Sequence, residues 1–136
     1  MPVFEALYVE RVMSVWRRKA LEFLPQFRVE IEAADTVTDL WIGIYSEFYD
    51  AVEKGEQNFI DGTLKYLIWS QSEVSGEKAK QAVSCGFLED ITLNRKHWQY
   101  FSIWFTKVQF EQYKGSFMYA LSDRELKELT HVFYGM

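Results

Sequence analysis

Apolar residues recur at intervals of three and four along nearly the whole chain, the spacing expected of amphipathic α-helices. No segment alternates apolar and polar residues over a length that would predict a β-strand. The first stretch shows the helical spacing in the residues Ala6, Val9, Met13, Trp16, Ala20 and Phe23. The pattern predicts an all-α fold, a compact bundle of about six or seven helices.

Residues that favour turns set the limits of the predicted helices. Pro25 suits the first turn of a short second helix, and a third helix over about residues 39–54 stops at Gly55, a natural C-terminal cap. A fourth helix is predicted over about residues 56–74, before Ser-Gly, and a fifth over about residues 77–91.

The C-terminal part contains two further cap signals. Thr106 is predicted to begin a new helical piece that Gly115 closes. Ser122 and Glu125 have the spacing of a capping box, so the last helix begins there. Its predicted buried residues are Leu126, Leu129 and Phe133.

The segment HWQYFSIWFTKVQFEQY, residues 97–113, is the most aromatic part of the chain. Tyr100, Ile103 and Trp104 do not share one helical face with the other apolar positions, which favours two short helices packed at an angle. Too few basic residues accompany the rings for a base-stacking platform or a membrane-surface helix. We therefore expect the rings mainly to fill a core. The residues on its helical stripe are Trp98, Phe101, Phe105 and Val108.

Length and composition favour a single helical domain over residues 1–136. Cys85 is the only cysteine, which excludes an intrachain disulfide and fits a reducing compartment. No apolar run approaches the ~18 residues of a membrane span, and the N-terminus does not resemble a signal peptide. A cytoplasmic protein without membrane contact is the prediction.

Few residues are candidates for chemistry. His97 has no usual metal ligand three or four residues away along the chain, and His131 has only Glu128, a single pair that is weak evidence for a metal site. Cys85 lies among small residues, where another helix can approach closely, and is predicted to be a packed, inert thiol. The glycines are isolated rather than grouped in a phosphate loop. We therefore predict a protein that is not an enzyme and that needs no metal or cofactor.

The clusters of basic residues are short, and they lie at residues 17–19 and residues 94–97. The first run lies toward the end of the first predicted helix, where cations complement the helix dipole. The second lies in a predicted loop. Because neither forms a stripe and the net charge is −5, direct nucleic-acid binding is disfavoured.

Acidic residues are concentrated in residues 30–61, which contain nine of them against a single lysine. Several fall on the polar face of the third helix. Such a face is either a solvated surface or a docking surface for a basic protein partner. The candidate partner-binding residues are Asp39, Glu47, Asp50, Glu53 and Glu56.

Two segments, WSQSEVSGEKAKQAVSCGFLEDI at residues 69–91 and FEQYKGSFMYALSDRELKEL at residues 110–129, resemble a family of small helical bacterial proteins. Members of that family often look like immunity proteins of polymorphic or contact-dependent toxin systems. The resemblance implies a non-enzymatic protein that neutralises a toxin domain, and such toxins are often nucleases with basic clefts. The matching residues are mostly structural, so the resemblance assigns no binding residues.

Two other functions remain open from the residues alone. One is a helical adaptor or regulatory module with a peptide groove among the aromatic residues of 98–119. The other is a small-molecule-binding or catalytic domain lined by Trp98, Trp104 and Tyr113.

Overall fold

The computed structural model describes residues 14–136 and contains eight α-helices and no strand in that range. The all-α prediction is confirmed, with eight helices instead of six or seven. The helices are α1 Val15–Phe23, α2 Arg28–Ala33, α3 Val37–Lys54, α4 Gln57–Ser70, α5 Glu77–Val83, α6 Phe101–Trp104, α7 Lys107–Phe117 and α8 Asp123–Tyr134. Short 3₁₀ helices lie at Pro25–Phe27, Glu73–Ser75, Ile91–Leu93 and Arg95–Tyr100, and a π-helical turn lies at Ser84–Leu88.

Helix α1 begins later than its apolar pattern suggests. Ser14 has extended backbone and immediately precedes the helix. Of the predicted stripe, Ala20 is buried and Trp16 and Phe23 pack against the core. Ala6, Val9 and Met13 lie outside the described residues.

Helix α3 supplies the centre of the core. The Thr36 hydroxyl caps its first turn by accepting the Asp39 backbone N–H at 3.1 Å, and Gly55, at φ 73°, ends it as predicted. Its apolar side is buried against α4, α5 and the π-helical turn. The fully or almost fully buried residues of α3 include Leu40, Trp41, Ile44 and Phe48.

A column of stacked rings joins α3 to α4. The Trp41 and Tyr66 rings lie 4.9 Å apart at 11°, and the Trp69 ring is also stacked with Tyr66, at 6.0 Å and 5°. The Tyr66 hydroxyl donates a hydrogen bond to the carbonyl of Trp16 at 2.8 Å, which fastens α1 to the column. Burial raises the pKa of Tyr66 well above its usual range.

Two glycines allow close contact between helices in this core. A Cβ at Gly62 would lie 2.4 Å from the carbonyl oxygen of Phe23, and a Cβ at Gly86 would lie 2.8 Å from the Trp41 Cβ. The close approach expected near Cys85 is therefore present. The prediction that Cys85 is packed is wrong, because the adjacent Gly86 takes the inward position and Cys85 is exposed.

The fourth and fifth predicted helices both end earlier than expected. Helix α4 stops at Ser70, and residues 73–75 form a separate 3₁₀ turn. Helix α5 stops at Val83 and gives way to the π-helical turn, in which Gly86, Phe87 and Leu88 are all buried. The π-helical turn therefore places three consecutive residues in the core.

The aromatic segment forms two helices, as predicted. The chain breaks after Trp104, and Thr106 begins α7 with a capping box that includes Gln109. Trp98, Phe101 and Phe105 are buried. Val108 is 78% exposed and does not continue the predicted buried stripe. The reason is that the break after Trp104 changes the direction in which the next helix presents its side chains.

The last two helices pack on each other through a ring stack between Phe110 and Phe133, with centroids 4.0 Å apart. Gly115 does not end a helix, contrary to prediction, since α7 continues to Phe117. The capping box of Ser122 and Glu125 is confirmed. Leu129 and Phe133 are buried, and Leu126 is partly buried.

Candidate partner-binding surface

The acidic residues of α3 lie on the side opposite its buried stripe. Asp39, Asp50 and Glu53 are exposed, and Glu47 is half-buried. Because Glu47 and Glu53 are six residues apart, they lie about 120° from each other around the helix axis. They therefore flank opposite edges of the polar face and meet different neighbours.

Glu47 faces a groove of about 970 Å³ between the end of α1 and the junction of α3 with α4. Two further carboxylates, Glu22 and Glu56, lie along the same groove. Its apolar lining consists of Phe23, Pro25, Phe27 and Phe59. The structure therefore brings two of the five candidate residues, Glu47 and Glu56, to one aromatic-lined groove.

The carboxylates of this groove differ in their partners. Glu22 is paired with Lys19 at 3.2 Å. Within residues 14–136, neither Glu47 nor Glu56 has a cation within ion-pair distance. The groove therefore carries negative charge that the described part of the protein leaves uncompensated.

Asp39 and Asp50 lie apart from the groove. Asp39 borders a smaller cavity of about 250 Å³ near the start of α3, together with Glu30 and Gly43. A carboxylate in the first turn also stabilises the positive end of the helix dipole, which gives Asp39 a structural role. Asp50 is exposed and adds to the charge of the polar face.

Glu53 differs from the other candidates because it is held by residues of the same chain. Its carboxylate forms a salt bridge with Lys96, and its Oε1 lies 3.4 Å from Nε2 of the buried His97. The hydrogen bond from Lys96 is the main reason that the pKa of Glu53 is lowered. Sequence spacing could not reveal this group, since Glu53 and His97 are brought together only by the fold.

The basic run at residues 17–19 has a different role from the one predicted. Arg17 lies in the first turn of α1, and its guanidinium donates hydrogen bonds to the carbonyls of Ile31 at 2.6 Å and Ala34 at 2.9 Å. These carbonyls terminate α2. The cation therefore complements the C-terminal end of α2 rather than that of its own helix.

The second basic run is also used internally. Residues 95–100 form a 3₁₀ helix rather than a loop. Arg95 is paired with Glu128 and lies 3.9 Å from Glu125, and its guanidinium sits 4.2 Å from the centre of the Trp98 ring. These contacts anchor the 3₁₀ helix to α8.

Two of the three residues proposed to line a small-molecule pocket are closed to ligands. Trp98 and Tyr113 are each 3% exposed, and the Trp98 indole N–H donates to the Thr92 carbonyl at 2.8 Å. Trp104 is half-buried against Phe48. In residues 14–136, no three side chains of His, Cys, Asp or Glu come together as a metal site.

The thiol of Cys85 borders a third cavity, of about 470 Å³, near the start of α3. Partial burial, followed by the negative charge of Glu89, raises the pKa of this thiol. A raised pKa leaves less of the nucleophilic thiolate. The surroundings of Cys85 therefore disfavour its nucleophilic form.

Comparisons with protein-family models, with curated proteins and with solved structures find no match to this chain. Among the described helices, none combines the length and apolar character needed to cross a membrane.

Proposed function

We propose that the protein is a non-enzymatic binding protein of the bacterial cytoplasm that neutralises a toxin domain, as an immunity protein does. Its partner is a cognate toxin domain with a basic surface, of which a nuclease cleft is one example. The proposal rests on the acidic surface of α3 and the neighbouring groove, together with the resemblance of residues 69–91 and 110–129 to immunity-like proteins.

The observation that carries the proposal is the groove with Glu47 and Glu56 on its rim and aromatic residues in its wall. A lysine or arginine of a partner has both an apolar stem and a charged head. The stem can pack on Phe23 and Phe27, while the head pairs with the two carboxylates. The groove thus matches the chemistry of a long basic side chain rather than that of a purely apolar one.

Asp39 and Asp50 contribute to the same proposal at longer range. Several carboxylates on one side of a small protein sum into a field that accelerates the encounter with a basic partner. Such steering weakens as salt rises, because exposed charges are screened over about 8 Å at physiological ionic strength. Glu53 adds less to this field than its position suggests, since Lys96 and His97 lie against it.

The test is co-expression with the protein encoded immediately upstream, scored by the growth of the host. The wild-type chain should prevent growth arrest by that protein, and the charge-reversal variant Glu47→Lys/Glu56→Lys should protect poorly. A charge-matched control is Glu73→Lys/Glu77→Lys, at two exposed carboxylates of another region that lie 3.5 and 3.7 Å from Lys80. Its circular dichroism spectrum is compared with that of the wild type, because the change also removes these two ion pairs. The control should protect like the wild type.

Binding of the purified pair then separates a surface effect from a folding effect. The groove variant should keep the circular dichroism spectrum of the wild type and associate at least about tenfold more slowly at low salt. Equal protection by the folded groove variant and the wild type would refute the acidic groove as the docking site. An upstream protein that causes no growth arrest would refute the immunity function and favour an adaptor that uses residues 98–119.

A further inference from the structure

His97 is a titratable residue enclosed by aromatic rings between α3 and the C-terminal part of the molecule. Its side chain is about 5% exposed. The ring of Tyr49 from α3 lies 5.0 Å away, and those of Tyr100 and Trp104 lie 6.1 and 6.3 Å away. The imidazole therefore fills the contact between α3 and the segment that follows residue 95.

The Nε2 atom of His97 is buried without an aligned hydrogen bond among the described residues. The nearest charged atom is Oε1 of Glu53 at 3.4 Å. Lys96 already forms a salt bridge with that carboxylate. Glu53 therefore has two neighbours of different kinds, a lysine that is charged throughout and an imidazole that is charged only after protonation. The free energy of the contact around this buried nitrogen therefore depends on whether the nitrogen carries a proton.

Among residues 14–136, the other elements packed around His97 bring no further unpaired charge to it. The 3₁₀ turn Ile91–Leu93 has no titratable side chain. Helix α8 also packs on the 3₁₀ helix that contains His97, and its carboxylates Glu125 and Glu128 face Arg95. Glu53 and Lys96 are therefore the charges that act on the ring, and Tyr49 and Tyr100 contact it through their rings.

We propose that His97 forms a pH-sensitive contact that holds the C-terminal end of α3 against the 3₁₀ helix Arg95–Tyr100. This contact is called the latch. The latch is closed while the imidazole is neutral and loosens when mild acid protonates it. This inference is independent of the proposed function, because it concerns a contact within the chain.

The direction of the pH dependence follows from the larger of two opposing effects on the pKa of His97. Burial disfavours the imidazolium and lowers the pKa of His97, and the attraction of Glu53 offsets this only in part. As pH falls below about 6.5, the unfolded chain takes up the proton before the folded chain does. The contribution of His97 to stability is therefore fully present above about pH 6.5, and it is lost as the pH falls toward the lowered pKa of His97 in the folded state.

The first test compares His97→Gln with His131→Gln, in which an exposed histidine is replaced. The urea midpoint of the wild type should fall between about pH 7.5 and about pH 5, above the range where most carboxylates titrate. His131→Gln should show the same fall and His97→Gln a clearly smaller one. An undiminished fall in a folded His97→Gln would overturn the latch, as would a wild-type midpoint that does not fall.

A second measurement does not depend on the stability of that variant. In a proton NMR titration, the His97 ring of the wild type should titrate below the ordinary histidine range. Lys96→Met should shift this titration upward and Glu53→Gln should shift it downward. Amide protection of residues 95–104 should fall in step with protonation. A His97 titration at or above the ordinary range, or protection that is unchanged through it, contradicts the proposal.

Discussion

The two halves of the molecule are stabilised in different ways. The half built on α1 to α5 relies on close packing, with the column around Trp41 and backbone contacts at Gly62 and Gly86. In the half that begins at residue 95, both α7 and α8 begin with a capping box, and Arg95 connects the 3₁₀ helix to α8 through ion pairs.

Some carboxylates also differ between the two halves, although Glu22 and Glu53 of the first half are paired as well. In the second half, the pKa of Glu111 is lowered by Lys114, that of Glu125 by the backbone N–H of Ser122, and that of Glu128 by Arg95. Two carboxylates of the first half, those of Glu47 and Glu56, lack such partners in the described residues. Paired charge contributes to the fold, whereas unpaired charge on one side remains available to a partner.

The largest expected loss of stability that tests this contrast comes from a pair of tryptophan substitutions. Trp41 is fully buried and Trp104 is half-buried, so Trp41→Ala should cost about 3–5 kcal/mol and Trp104→Ala roughly 1–3 kcal/mol. Urea denaturation of both variants measures the difference. An equal loss at the two sites would mean that the C-terminal half depends on ring packing as strongly as the first half does.

A pair of glycine substitutions should give effects of opposite sign. Gly62→Ala forces a methyl group against the Phe23 carbonyl and should destabilise by roughly 1–3 kcal/mol. Gly115→Ala should stabilise by about 0.5–1 kcal/mol, because its Cβ would meet open space and its φ is not positive. Thermal or urea unfolding decides both signs, and a stable Gly62→Ala variant would refute the close approach of α1 and α4.

Removal of a helix cap tests the second half directly. The Ser122 hydroxyl accepts the Glu125 backbone N–H at 3.1 Å, so Ser122→Ala should cost about 1 kcal/mol. The control is Ser102→Ala at an exposed position of α6, which should change stability by less than about 0.5 kcal/mol. If the two variants unfold at the same urea concentration, the capping box does not help to stabilise α8.

The smallest expected effect concerns acid below the histidine range. A carboxyl group whose folded pKa is lowered stabilises the protein above its unfolded pKa and loses that contribution as pH falls through the folded value. Stability should therefore decline below about pH 4.5, and less steeply in Arg95→Met, which removes the partner of Glu128. Urea denaturation as a function of pH measures both slopes. An equally steep decline in Arg95→Met and the wild type would mean that the Arg95–Glu128 pair does not contribute to it.

The features that sequence reasoning recovered are local ones. Gly55, Thr106 and Ser122 were correctly predicted to bound helices, because a cap depends on residues within one turn of it. The burial of Trp98 and Phe101 also followed from local spacing. Gly115 was misread since glycine signals a helix end only where a left-handed conformation is needed, and here the helix continues through it.

The features that were missed join residues distant in sequence. Periodicity places Glu47 and Glu53 on one polar face, but it does not show that one borders a groove and the other meets His97. The same holds for Arg17, whose partners are the last carbonyls of another helix. A charged residue can be assigned to the surface from sequence, whereas its partner can be assigned only from the fold.

The aromatic column of Trp41, Tyr66 and Trp69 also gives the protein an optical signature. Stacked indole and phenol rings held at fixed angles couple their electronic transitions, so this core should produce strong near-ultraviolet circular dichroism. That signal reports ring order, while the far-ultraviolet signal reports helix. A state that keeps the second and loses the first would be a molten globule, and the chain therefore carries its own spectroscopic probe for separating loss of packing from loss of helix.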